Sequence, residues 1–194
     1  MYLSKVDLST NKLMVLLNEL LDVSKINLGK LDLTKSEINI NEYLPEVLSS
    51  IQHITKDHTI VLEQNAAAKS AIDPIRLEQV ITNLVSNAHK YTPEGGQILL
   101  GAEATNNQWD PEGAKRVVHL WVKDNGIGIN IEDQNKIFQK FFRSDDMKAR
   151  EVPGTGLGLN ITKSLVEMQG GRIWFDSEFR KGTTFHFTIP VAEG

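Results

Sequence analysis

The chain has 194 residues, which suits one domain of ordinary size or a domain plus an appendage, and 40% hydrophobic content is enough for a buried core. A net charge of −4 gives no basis for general nucleic-acid binding, which calls for a basic patch. The absence of cysteine excludes disulfides, thiolate metal sites and cysteine nucleophiles and fits a reducing compartment. No apolar run reaches the roughly 18 residues a membrane-spanning helix needs, and no signal-peptide pattern is visible.

Residues 3–28 carry Leu3, Val6, Leu13, Leu16, Leu17, Leu20, Leu21, Val23 and Leu28 over a long helical pattern. So wide an apolar surface needs a partner, either the helix's own domain or another helix. Spacing near 3.5 favours a helical hairpin or a dimeric bundle. Asn27-Leu28-Gly29-Lys30 ends the helix with a C-cap glycine, and the abrupt helical beginning reads as an excised piece. Residues 31–41 partly alternate, a linker leading into an edge strand. A helix is expected from Glu42 to about Lys56, with Leu44, Val47, Leu48, Ile51 and Ile54 on one face and Pro45 tolerated in the first turn. Thr59–Glu63 reads as a strand, and Gln64–Ala71 as a small-residue connection.

The stretch Asp73–Thr92 has the clearest start. Asp73 suits the N-cap and Pro74 the first helical position. Leu77, Val80, Ile81, Leu84, Val85 and Ala88 form one apolar stripe. Beside it Asn83, Asn87 and Lys90 share a face, although Asn is a mediocre helix former. That row is either a solvated face or one that holds a metal and a polyphosphate.

Pro93-Glu94-Gly95-Gly96 is a turn, and the strands Gln97–Ala104 and Arg116–Lys123, joined by a polar loop, make an antiparallel pair. Asp124-Asn125-Gly126-Ile127-Gly128-Ile129 follows, then a short helix over Glu132–Phe138 and an aromatic cluster of Phe138, Phe141 and Phe142. Arg143–Pro153 is charged and poorly periodic, which predicts mobility. Gly154-Thr155-Gly156-Leu157-Gly158-Leu159 opens a helix that runs to about Gln169, with Ile161, Leu165 and Met168 on its apolar face, and Gly170-Gly171 stops it. Arg172–Asp176 and Thr183–Pro190 read as strands, with Gly182 in the turn between them. The expected fold is α+β, a two-layer sandwich of a mixed, mostly antiparallel sheet with helices on one face, preceded by a long N-terminal helix.

Three features could carry chemistry. Asp124 stands where a strand meets a glycine turn; its carboxylate either caps that turn or accepts from an exocyclic amine such as adenine's. Gly126 and Gly128 permit unusual dihedrals or close approach of a ligand. The Gly154-x-Gly156-x-Gly158 loop presents free N–H groups and a positive helix end to phosphate. It is neither a dinucleotide fingerprint, since position 159 is Leu, nor a Walker loop, since Gly-Lys-Ser/Thr is missing. His53, His58, His89, His119 and His186 read as structural or surface residues, and no Ser/His/Asp or paired-carboxylate arrangement stands out.

Taken together and in order, NLVSNAHKYT, DNGIGI, KIFQKFFR and GTGLGL, with Gly182-Thr183 opening the last strand, resemble the N box, first glycine box, F box and second glycine box of the ATP-binding catalytic domain of sensor histidine kinases. That family belongs to the wider group sharing the Bergerat ATP-binding fold. The resemblance covers about residues 38–191. LLDVSKINLGKLDL resembles the second helix of the family's dimerisation-and-phosphotransfer domain, so residues 1–30 are assigned to part of that domain and 31–194 to the catalytic domain.

The resemblance implies ATP and Mg2+. Asn87 would ligate the metal, and Asn83 and Lys90 would contact phosphates. Tyr91 would lie near the sugar or phosphate end. Asp124 would accept from the adenine amine beside Gly126 and Gly128, with Thr183 supporting it through water. Arg143, after Phe142, would reach the terminal phosphate, and the stretch to Pro153 would form a lid. Gly154, Thr155, Gly156, Leu157 and Gly158 would hold the phosphates. Asn83, Lys90 and Arg143 would serve the transfer itself, by positioning and charge neutralisation.

The family's phosphoacceptor histidine belongs to a first stalk helix that nothing here matches, which predicts Mg-ATP binding without efficient autophosphorylation. The implied partners are a second copy of the parent protein, through the N-terminal helix, and a response regulator, with no nucleic acid and no membrane contact by this stretch. Its expected location is the cytoplasm, any membrane anchor belonging to the parent. Two alternatives stand. An ATP hydrolase of the same fold would carry a Glu general base one helical turn before the metal-binding Asn, where this chain has Asn83. A non-catalytic dimerising nucleotide-binding module would keep the fold without the transfer.

Overall fold

The computed structural model describes residues 2–52, 58–93, 96–144 and 154–192. Helix α1 spans Tyr2–Asn27 and closes with two paired bonds, Lys30 N–H to Lys25 C=O at 2.8 Å and Gly29 N–H to Ile26 C=O at 3.0 Å. Strand β1 (Ser36–Asn39) follows, then α2 (Ile40–Ile51), where Asn39 Oδ1 caps the first turn by accepting from Asn41 N–H. Pro45 lies inside this helix, beyond the first turn where it was expected. A proline there leaves the carbonyl four residues back without its donor. The orphan, Asn41 C=O, accepts instead from Asn65 Nδ2 at 2.9 Å. The tail of the expected helix, residues 53–57, lies outside the described residues.

Strand β2 is Ile60–Gln64. Part of the expected connection is also a strand, β3 (Lys69–Ile72), which pairs antiparallel with β1 in a small two-stranded sheet. Helix α3 (Pro74–Tyr91) leads to β4 (Ile98–Asn106) and β5 (Arg116–Asp124). Helix α4 (Gly158–Met168) precedes β6 (Ile173–Glu178) and β7 (Gly182–Pro190). The main sheet has five strands in the order β2-β4-β5-β7-β6. β2 runs parallel to β4, and every other neighbouring pair is antiparallel. The helix expected over Glu132–Phe138 is instead a run of turns over residues 131–138, in which Asp133, Lys136 and Gln139 N–H groups bond carbonyls three residues earlier.

Strand parity divides the sheet into two faces. On β5, Val118, Leu120 and Val122 turn toward the helices and are buried; on β7, Phe185, Phe187 and Ile189 do the same. They pack against the α3 stripe of Leu77, Val80, Ile81, Leu84, Val85 and Ala88 and against Ile161 and Leu165 of α4. The same parity carries Asp124 and Thr183, paired in register, to the helix side at the end of the sheet.

The opposite face holds a polar and aromatic layer. Glu103 Oε1, His119, His186 and Asp176 Oδ2 form a row across β4, β5, β7 and β6, with contacts of 3.2, 3.0 and 3.2 Å. Trp109, from the β4–β5 loop, lies against His119 and Trp174. His58 and His89 form a second pair, Nδ1 to Nδ1 at 3.0 Å, while His53 lies outside the described residues. Of the expected phenylalanine cluster, Phe138 packs its ring near Phe175 and Phe185 and Phe142 is partly buried on the core. Phe141 departs from it: its backbone takes φ 62° and its side chain is 63% exposed. Among the described residues, no helix is long and apolar enough to cross a membrane.

Candidate functional site

A cleft of about 570 Å³ opens where the ends of β5 and β7 meet the facing sides of α3 and α4. Asp124 forms part of its wall and is 8% exposed. Its Oδ1 accepts from Gly126 N–H at 2.9 Å and Thr183 N–H at 3.3 Å. Its Oδ2 accepts from no group among the described residues. Burial raises the Asp124 carboxyl above the usual carboxylate range, and the two backbone N–H groups oppose this. Thr183 donates its backbone N–H to the Asp124 carboxylate, while its hydroxyl meets Ser177 Oγ at 2.9 Å.

The polar row of α3 faces the same space: Asn83, Asn87 and Lys90 all line it, with Tyr91 at the end. The two carboxamides differ. Asn83 Nδ2 donates to Thr162 Oγ1 of α4 at 2.6 Å. The Asn87 carboxamide has no hydrogen-bond partner among the described residues. Lys90 keeps solvent access, yet the cleft wall desolvates its ammonium enough to lower its pKa; the Glu19 carboxylate opposes this and Arg143 adds to it. Desolvation raises the Tyr91 phenol, and Arg143 lowers it.

Helix α4 begins at Gly158 with Leu157 at the N-cap and no side-chain capping bond. A Cβ at Gly158 would stand 2.6 Å from Asn83 Oδ1, so a side chain there would displace the Asn83 carboxamide. Gly128, at φ 65°, is required by backbone: a Cβ there would stand 2.1 Å from Glu178 C=O. Gly154, Thr155, Gly156, Phe142 and Arg143 also line the cleft. Two expected residues do not. Gly126 lies behind Asp124, against Tyr91 C=O, and Leu157 is a fully buried core residue whose N–H bonds Thr155 Oγ1 at 3.1 Å. The expected lid falls mainly on residues 145–153, outside the described residues.

Sequence reasoning missed one wall entirely: Val15, Leu16 and Glu19 of α1 line the cleft. The available signal was a charge at position 19 within the inward stripe that Leu16 and Val23 continue. Ile127, Ile129 and Phe185 add apolar walls near Asp124. Apolar residues at these positions suit a core face as well as a cleft face, and nothing in the sequence distinguishes the two.

A buried acceptor beside apolar walls, opposite a row of carboxamides and cations, suits a ligand that joins a flat donor-bearing base to an anionic tail. Fold and site together define a nucleotide-binding domain. Residues 72–193 match the family described as histidine kinase-, DNA gyrase B- and HSP90-like ATPase. The chain belongs to that family, in the branch of the sensor histidine kinases.

The signal transduction histidine-protein kinase BarA of Escherichia coli (strain K12) is 38% identical over 197 residues, covering 98% of this chain and 21% of BarA. The sensor histidine kinase WalK of Bacillus subtilis (strain 168) is 34% identical over 187 residues, covering 95% of this chain and 29% of WalK. The chain therefore spans less than a third of either relative. Among solved structures, full-length ShkA in complex with AMPPNP superposes with a TM-score of 0.81 at 26% identity, over 100% of this chain and 39% of that one. The catalytic domain of histidine kinase ThkA is 30% identical, with a TM-score of 0.65 over 80% of this chain and 95% of that one.

Proposed function

We propose that this chain binds Mg-ATP and positions its γ-phosphoryl group for transfer to a histidine supplied from outside these residues. The observation that carries this reading is Asp124, a buried carboxylate with one oxygen held by backbone and the other open to the cleft. An exocyclic amine is the donor it suits, since an unmatched acceptor in a buried site costs free energy. Lys90 and Arg143 supply positive charge for phosphates, and the uncapped start of α4 supplies backbone N–H groups.

The residues fit a hard divalent ion. Among the described residues no three His, Cys, Asp or Glu side chains are placed to hold a metal, so an ion here depends on the unpartnered Asn87 carboxamide and on ligand oxygens. Bound there, Mg2+ would neutralise phosphate charge. One turn earlier, the Asn83 carboxamide is engaged with Thr162 and cannot take a proton from water, which supports transfer over hydrolysis. Association through α1 is proposed on its outer face, where Leu13 is 66%, Leu17 51% and Leu21 48% exposed. A response regulator as the next phosphoryl acceptor follows from the family alone.

Calorimetric titration with ATP, with and without Mg2+, tests this reading. The wild-type chain is expected to bind ATP more tightly with the metal, and Asn87→Ala to lose most of that difference. Failure of the folded wild-type chain to bind ATP would leave the dimerising module as the better reading.

A further inference from the structure

Helix α1 is fastened to the domain along its C-terminal half. Val23 and Ile26 pack on the core. Asp22 pairs with Arg76 Nη1 at 3.3 Å and accepts from Gln79 Nε2 at 2.9 Å, and Lys140 Nζ bonds Asn27 Oδ1 at 2.7 Å. One turn before this anchor, on the same inward side, Glu19 enters the cleft. Its Oε2 is buried and has no hydrogen-bond partner among the described residues.

A buried carboxylate oxygen without a hydrogen-bond donor is unfavourable for folding. A leucine at this position would simply extend the stripe. Lys90 feels the Glu19 carboxylate on one side and Arg143 on the other, so the three charges share one end of the cleft. Asp124 belongs to the other end, among Thr183 and Phe185.

We propose that Glu19 is a specificity-determining residue that α1 contributes to the nucleotide site, a fixed negative charge that disfavours ligands in proportion to the number of phosphates they carry. This rests on the reading of the cleft as an ATP site. Glu19 offsets the attraction of Lys90 and Arg143 for phosphate while α1 is docked. The affinity for ATP thereby depends on the position of a helix that carries none of the four nucleotide motifs. Repulsion between like charges in a partly desolvated cleft is large enough to shift affinity about five- to tenfold.

The test is titration of the full chain and its Glu19→Gln variant with adenosine, ADP and ATP, each without divalent metal and then with Mg2+. Glu19→Gln is expected to bind ATP about five- to tenfold more tightly, ADP by a smaller factor, and adenosine as the wild type does. Added salt should shrink the ATP effect. Asp22→Asn, which loosens the anchor, should tighten ATP binding in the wild-type background and add little to Glu19→Gln. Equal tightening for all three ligands would make Glu19 a steric obstacle and overturn the proposal. Weaker ATP binding by Glu19→Gln would make it a ligand and also overturn it. Normal ATP binding by the wild type with no change in either variant would overturn this inference while leaving the ATP reading intact. No binding of any adenine ligand by the folded wild type would overturn both.

Discussion

Asp73 and Asp124 are two aspartates in nearly the same burial, 5% and 8% exposed, each directly after or at the end of a strand. They differ in what the protein does with the second oxygen. Asp73 uses both: Oδ1 accepts from Arg76 N–H at 3.1 Å and Oδ2 from Thr34 N–H at 2.9 Å, while its own N–H bonds Gln169 Oε1 at 2.9 Å. Asp124 leaves one oxygen to the cleft. Burial alone therefore does not mark a functional carboxylate. An acceptor that the fold leaves unfilled is what singles out Asp124 as the proposed base-binding carboxylate, because folding gains nothing from keeping it there.

The contrast can be broken by mutation. The largest effect on stability is expected at Asp73. Asp73→Ala removes a helix cap and orphans the Thr34 N–H, and should cost about 2 kcal/mol in chemical denaturation. The folded fraction should bind ATP as the wild type does; a joint loss of affinity would join the two aspartates into one site. Asp124→Asn should do the reverse. The new amide can keep Oδ1 as acceptor for Gly126 and Thr183 but places a donor where an acceptor is wanted. ATP affinity should fall at least about tenfold in calorimetry, with no loss of stability. Wild-type affinity in that variant would remove Asp124 from the base pocket.

The smallest effect sharpens the comparison through pH. The Asp124 carboxyl is raised by burial, so its protonated form fits the fold better than its ionised form. A raised folded-state pKa contributes stability that is full below the unfolded carboxylate value, about 3.9, and is lost as pH rises through the folded value. At neutral pH the ionised group costs stability, so Asp124→Asn should unfold at a temperature equal to or above that of the wild type. That margin should shrink as pH falls through the raised value. A margin that grows on acidification would reverse the sign of the burial effect.

Much of this contrast is legible in the sequence. Asp73-Pro74 followed by an apolar stripe announces a capped helix, because capping and periodicity are local. The alternation Val118, Leu120, Val122 carries Asp124 inward by parity alone. The rest depends on distant partners. Pro45 sits inside α2 because Asn65 satisfies the freed carbonyl, and no local pattern foretells a partner 24 residues away. Strand β3 has two inward residues, Ser70 and Ile72, too few for an alternation to register. Residues 131–138 have helical composition, yet their hydrogen bonds close three-residue turns. The contribution of Glu19 to the cleft follows from how α1 docks, a tertiary fact.

The outer sheet face has a practical consequence for all of these measurements. The chain has three tryptophans, and Trp109, Trp121 and Trp174 all belong to that face, where Trp121 lies over Gly101 and the other two meet at a centroid distance of 5.0 Å. None lines the cleft. Indole emission from this protein should therefore follow global unfolding and stay silent to nucleotide, so one fluorescence trace reports the stability half of the comparison uncontaminated by the binding half.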